Sequence, residues 1–256
     1  MFQSIKQLAG SRVTATDGDI GHLNDAFFDD RSWAIRYLVV DTGTWLNQRK
    51  VLISPYSVKP PLGGDRHIHV SLTQQQVKDS PDVDTHQPVS RQHERNLLGY
   101  YQYPEYWDGG GLWAMGAMPY PPAALMSPAE LEVSRVESIR SFNAADVHLR
   151  SSDDISAYEI EASDGSIGHI QDFVFEEDSW AIRYLVVDTS NWWPLGRKVL
   201  IGMHWAESID WATQKVHVAL TREQVQSSPL FDDVSSIERD YEDLLHKNYQ
   251  RPGYWD

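Results

Sequence analysis

Two histidines, His22 and His169, each stand three residues before an aspartate, Asp25 and Asp172. An imidazole beside a carboxylate can relay a proton or act as a general base. A small-molecule hydrolase could be built on such His/Asp pairs, but it would also need a nucleophile. The chain has no cysteine, and no serine sits in a nucleophile elbow. Residues i and i+3 on a strand face opposite sides. The pairs are therefore expected to fix hairpins by hydrogen bonds, and no catalytic residue is assigned. His67 and His69 alternate along one run, so both rings would share a face and could share a metal. The matching positions later in the chain hold Lys215 and His217, which breaks any duplicated site. Glu176-Glu177-Asp178 and Asp232-Asp233 lack the spacing of a calcium loop. Neither a glycine-rich phosphate loop nor a metalloprotease helix is present. Accordingly no metal and no cofactor is expected.

The remaining candidates are binding residues. Trp33 and Trp180 are expected to pack in the core or between domains, with a ligand platform as the alternative. Asp41 and Asp188 should accept hydrogen bonds from backbone or from Arg36 and Arg183. Asp232, Asp233, Glu238, Asp240, Glu242 and Asp243 crowd the last helical region and could attract a basic partner.

What positions these residues is a duplication. Asp17–Thr42 aligns without a gap to Asp164–Thr189, with 18 of 26 positions identical. Arg49–Ile53 returns as Arg197–Ile201 after a one-residue insertion, and Tyr106-Trp107-Asp108 returns as Tyr254-Trp255-Asp256. The repeat is domain-sized rather than solenoid-sized. Its expected organisation is repeat one over 1–108, a Gly/Pro-rich apolar linker over 109–147, and repeat two over 148–256. The linker's Leu112, Trp113, Met115, Met118, Leu125 and Met126 suit a tether that packs on a domain, or a recognition segment.

Within a copy, Asp17-Gly18 signals a hairpin between Val13–Thr16 and Ile20–Phe28, with a kink near Gly21. Trp33–Asp41 is apolar on both faces and should be covered on both. Lys50–Ile53 and His67–Leu72 complete the strands. Helices come late. Thr73 and Thr221 open capping boxes, and Ser80-Pro81 and Ser228-Pro229 stop those helices. A further helix over about 235–249 would put Ile237, Tyr241, Leu244 and Leu245 on one face. The expected class is mainly β with small helices late in each repeat.

Charge narrows the partners. The chain carries 22 basic and 37 acidic side chains, net −15. Such a surface repels phosphate backbones, so nucleic acid is not expected. Residues 1–108 hold 11 basic and 13 acidic groups, net −2, whereas residues 148–256 hold 9 and 20, net −11. No apolar run is long enough for a membrane helix, and the start has no signal-peptide core.

The hairpin Asp-Gly-x-Ile-Gly-His, then Trp-Ala-Ile-Arg-Tyr-Leu-Val-Val-Asp-Thr, then Arg-Lys-Val-Leu-Ile, resembles the PRC-barrel family in both copies. The resemblance implies two tandem PRC-type β-barrels. Their packing on each other about a pseudo-two-fold axis, as in an ancestral homodimer, is a further expectation. It also implies a non-catalytic protein that docks on or helps assemble an unknown protein partner, in the cytoplasm, with a homo-oligomer left open. Members include the cytoplasmic domain of the photosynthetic reaction centre H subunit and the C-terminal domain of the ribosome maturation factor RimM. A peripheral cap on a membrane electron-transfer complex is thus the alternative, and a His/Asp hydrolase the more distant one.

Overall fold

The computed structural model describes residues 1–62, 64–82, 89–107, 111–114, 116–119, 147–192 and 196–255. The chain opens with strand β1 (Phe2–Ser4) and a one-turn helix α1 (Ile5–Leu8). It then divides into two compact units, each carrying one seven-stranded sheet.

The first-repeat unit comprises Leu8–Ser151 and Glu177–Ala181. Its strands are β2 (Arg12–Thr14), β3 (Asp19–Asp29), β4 (Ala34–Asp41), β5 (Lys50–Ile53), β6 (Val58–Lys59), β7 (His67–Val70) and β8 (Leu149–Ser151). They run in the order β5-β4-β3-β2-β7-β6, with β8 added to β3. All pairs are antiparallel except β2 with β7. Every residue of β4 before Asp41 is buried, as its two apolar faces require. Near Gly21, where a kink was expected, β3 shifts register against β2. A Cβ on Gly21 would lie 2.0 Å from the Asp41 carbonyl oxygen, so only glycine lets the strands approach this closely. Helices α2 (Gln74–Lys78) and α3 (Arg91–Tyr101) follow. Leu97 of α3 and Val89 before it join Phe27, Tyr37, Val39, Leu52 and Leu149 in one apolar cluster.

The second-repeat unit comprises Met1–Gln7, Ser152–Glu176 and Ile182–Asp256. Helix α4 (Ser152–Ile155) precedes β9 (Glu159–Ala162), β10 (Gly165–Glu176), β11 (Ile182–Asp188), β12 (Lys198–Gly202), β13 (Ala206–Asp210) and β14 (Lys215–Val218). The order β12-β11-β10-β9-β14-β13 repeats that of the first unit, with β1 added to β10 and β9 parallel to β14. Gly168 stands where Gly21 does, again 2.0 Å from an oxygen, that of Asp188. Helices α5 (Arg222–Gln226) and α6 (Arg239–Tyr249) close the chain.

Both sheets thus receive a strand from the opening of the other repeat. Phe2, Gln3 and Ser4 pair with Glu176, Phe175 and Val174. Leu149, Arg150 and Ser151 pair with Asp29, Phe28 and Phe27. Leu149 is 4% exposed. Burying a leucine is worth about 1.5–3 kcal/mol, which adds to the ladder bonds in offsetting the cost of ordering a three-residue strand.

The two capping boxes form as expected: Thr73 and Thr221 accept from the N–H of Gln76 and Gln224, whose side chains return the bond. The last helix differs from expectation. It starts at Arg239 because Asp233 caps a separate 3-10 turn, accepting from Ser235 N at 2.7 Å. Its buried face is Glu242, Leu245, His246 and Tyr249, while Leu244 is 55% exposed. Among the described residues, no helix is long and apolar enough to cross a membrane.

Candidate functional site

Each unit holds the same polar knot between its central strand, its late helix and the Tyr-Trp pair that follows. In the second-repeat unit, Tyr184 of β11 donates to Glu242 Oε1 at 2.7 Å, and Tyr254 donates to the same oxygen at 2.9 Å. Arg239 reaches Glu242 Oε2 at 3.3 Å and stacks over Trp255 at 4.0 Å. Arg183 lies 4.1 Å over the Tyr254 ring and pairs with Glu176 at 2.6 Å. His246 faces Tyr184 through Nε2 at 3.2 Å, and its Nδ1 donates to the Pro252 carbonyl at 2.8 Å, since a carbonyl only accepts. Burial, and then the Glu242 carboxylate, push the Tyr184 hydroxyl far above its ordinary pKa.

The first-repeat unit builds its knot from matching residues and adds His148 and Trp113. Tyr106 donates to Glu94 Oε2 at 2.5 Å and meets His148 Nε2 at 2.9 Å. His148 Nε2 is 3.2 Å from Glu94 Oε1. Arg91 stacks over Trp107 at 4.1 Å and stands 3.5 Å from Glu94. Arg36 lies 3.9 Å over Tyr106 and 4.6 Å over Trp113, and it donates to the Leu112 carbonyl at 2.7 Å. Trp113 is buried and donates to the Ser179 carbonyl at 2.7 Å. Burial lowers the Arg36 pKa, opposed by Tyr106 and Asp29. Glu94, Arg36 and His148 are all at most 2% exposed. This knot is closed to water, and it fastens α3 and the following turn to β4.

The histidines and aspartates do not form pairs. His22 is exposed and faces Asp41 across the ladder; His169 is half-buried and faces Asp188. A β-bulge separates each histidine from its aspartate, between Leu23 and Asp25 and between Ile170 and Asp172, and re-aims the strand. Asp25 then accepts from Ser151 Oγ at 2.6 Å and from Ala26 N. Asp172 accepts from Ser4 Oγ, from Lys6 N at 3.0 Å and from Phe173 N. Both carboxylates hold the added strands.

Trp33 stacks on Phe28, centroids 5.0 Å apart. Trp180 is buried in the first-repeat unit, where its carbonyl accepts from Ile35 N at 2.9 Å. With Tyr56, Leu62, Met118 and Glu177 it lines a cavity of about 480 Å³. Asp41 and Asp188 accept from Gly43 N and Ser190 N at 2.8 Å. Of the two expected donors it is thus the backbone that serves, while Arg36 turns to Leu112 and Arg183 to Glu176. The His67 and His69 rings lie 6.1 Å apart. Among the described residues, no three His, Asp or Glu side chains gather as a metal site.

Asp232, Asp233, Glu238, Asp240 and Asp243 are exposed. Glu242, expected among them, is 2% exposed and points into the knot, so it adds nothing to the acidic surface. Of the linker, Trp113 and Ala114 are buried, whereas Met115, Leu125 and Met126 lie outside the described residues, as do Asp108 and Asp256. The sequence reading missed Glu94, His148 and Tyr184. The available signal was the recurrence of Arg91-x-x-Glu94 as Arg239-x-x-Glu242 beside a repeated Tyr-Trp.

The family model for the PRC-barrel domain matches residues 150–225, from β8 through most of α5. The second repeat therefore carries a PRC-barrel domain. No curated protein matches the chain.

Proposed function

We propose that this PRC-barrel-domain protein is a non-catalytic docking or assembly module for another protein, and that each seven-stranded sheet is one PRC-type barrel of a tandem pair. The observation that carries the reading is the use made of Asp25 and Asp172. A hydrolase would need these carboxylates beside the histidines. Here Ser151 and Ser4 take them up, and they fasten strands. Glu94 and Glu242 are likewise spent on tyrosine hydroxyls. The titratable groups thus serve cohesion, which suits a rigid scaffold whose exposed residues do the recognition.

The exposed acids of the second-repeat unit fit a basic protein partner. Attraction between opposite charges speeds encounter and fades with salt. The experiment is affinity capture with the tagged full chain from its host at low salt, followed by identification of the retained proteins by mass spectrometry. Basic proteins that elute as salt rises are the expected result. Recovery of the chain alone, together with turnover of model esters that His22→Gln/His169→Gln abolishes, would favour the hydrolase.

A further inference from the structure

Arg36 and Arg183 stand in identical sequence, yet one is sealed and the other open. In the first-repeat unit the Arg36 guanidinium lies against two rings, Tyr106 at 3.9 Å and Trp113 at 4.6 Å. Trp113 belongs to the segment Gly111–Ala114, which follows the repeat. Its ring also meets Tyr56 edge-on, centroids 5.1 Å apart. The Leu112 carbonyl accepts from Arg36 Nη1 at 2.7 Å, and Ala114 N donates to the Tyr106 carbonyl at 3.3 Å. Under this segment Arg36, Tyr56 and Tyr106 are 2%, 4% and 3% exposed.

The second-repeat unit builds the same shelf and leaves it open. Arg183, His204 and Tyr254 hold the positions of Arg36, Tyr56 and Tyr106. Arg183 again lies over its tyrosine, 4.1 Å from the Tyr254 ring, and its charge is felt by His204. None of the three is buried: Arg183 and Tyr254 are half-buried, and His204 is exposed. Glu176 holds Arg183 Nη2. Nη1, the atom whose counterpart bonds Leu112, meets no acceptor among the described residues. A donor without an acceptor, beside partly open rings, is what Leu112 and Trp113 satisfy in the sister unit.

The geometry points to this shelf as a docking site for a tryptophan-bearing segment of a partner polypeptide, seated as Gly111–Ala114 is seated on the first-repeat unit. The inference rests on the docking function and names the part of a partner that the second-repeat unit holds. A main-chain carbonyl of the segment accepts from Arg183 Nη1. The indole that follows it lies on the guanidinium, a flat and weakly hydrated cation that suits an aromatic face. Specificity comes from the pairing: the carbonyl sets the register, and the next side chain meets Arg183 and His204. This chain's own Leu112 and Trp113 are engaged on the first-repeat unit, so the occupant comes from another polypeptide.

The probe is the peptide acetyl-Gly-Leu-Trp-Ala-amide, which reproduces residues 111–114. It is titrated into the full chain while backbone amide resonances are followed, with acetyl-Gly-Leu-Ala-Ala-amide as the control. The expected result is saturable shifts centred on Arg183, His204 and Tyr254, with a dissociation constant of roughly 1 mM or tighter. The control peptide should bind at least about tenfold more weakly, because it brings no ring to the cation. Arg183→Lys keeps the charge but loses the planar fork, and should weaken binding about tenfold. The comparison of peptides needs no variant, so it decides the matter even where Arg183→Lys does not fold. Absence of saturation would overturn the proposal. So would equal binding of the two peptides, unchanged binding in a folded Arg183→Lys chain, or shifts centred on Arg36, Tyr56 and Tyr106, where the peptide would only displace the resident segment. No protein from the host takes part, so the shelf can fail while affinity capture succeeds, and the reverse.

Discussion

Ser151 donates its hydroxyl hydrogen to Asp25 at 2.6 Å and so closes β8 onto β3. Ser4 makes the same bond to Asp172, closing β1 onto β10. The acid three residues after the repeated histidine is thus a strand anchor in both units. Replacing Ser151 with Ala should cost about 1 kcal/mol, and Asp25→Ala about 1–3 kcal/mol, because the latter strands the serine and the Ala26 N–H. Chemical denaturation of both single variants and the double variant checks this. Strictly additive losses would mean that the bond carries no coupling.

The close approach at Gly168 makes a second expectation. A methyl group there would meet the Asp188 carbonyl, which is backbone and cannot swing aside. Gly168→Ala should therefore destabilise by about 3 kcal/mol or more, at the upper end of overpacking costs. The measurement is the midpoint of urea unfolding; a shift within error would show that the strands can part freely.

Adjacent leucines on α6 should behave oppositely. Leu245 is fully buried, and Leu245→Ala should cost about 2–5 kcal/mol. Leu244 is 55% exposed, and Leu244→Ala should stay within about 0.5 kcal/mol. Equal losses in the two variants would contradict the face assigned to this helix.

How far the sequence carried is plain from these elements. β4 and β11 were legible because eleven identical residues, apolar on both faces, admit few alternatives. The capping boxes were legible because their partners lie three residues apart. The added strands were not, since three residues are too short to show a period and nothing local says which sheet they join. Leu244 misled because the buried face of α6 is partly polar. Glu242 and His246 go inside, and a carboxylate in a charged run reads as surface until the tyrosine that holds it, 58 residues away, is placed.

Acid should loosen the end of the second-repeat unit. Burial, then the neighbouring His246, lower the pKa of His204 from its ordinary 6.5. The fold therefore prefers neutral His204, and below about pH 6.5 the unfolded chain binds the extra proton. Stability from this group is complete above that value and is lost as pH falls through the lowered one. His204→Gln should flatten the dependence between about pH 7 and pH 5 in denaturation midpoints. An identical slope in variant and parent would assign it to other groups.

The docking function is tested most directly by the rate at which a captured partner associates. Asp232, Glu238, Asp240 and Asp243 are exposed, and none is tied to the buried knot or caps the 3-10 turn as Asp233 does, so all four can be reversed to Lys without opening the core. Stopped-flow association of parent and reversed chain, at low and at high salt, gives the comparison. The account predicts a rate at least about tenfold slower for the reversed chain at low salt, with the two converging as salt rises. Equal rates at low salt would contradict it, showing that the acidic face of the second-repeat unit is not where the partner arrives.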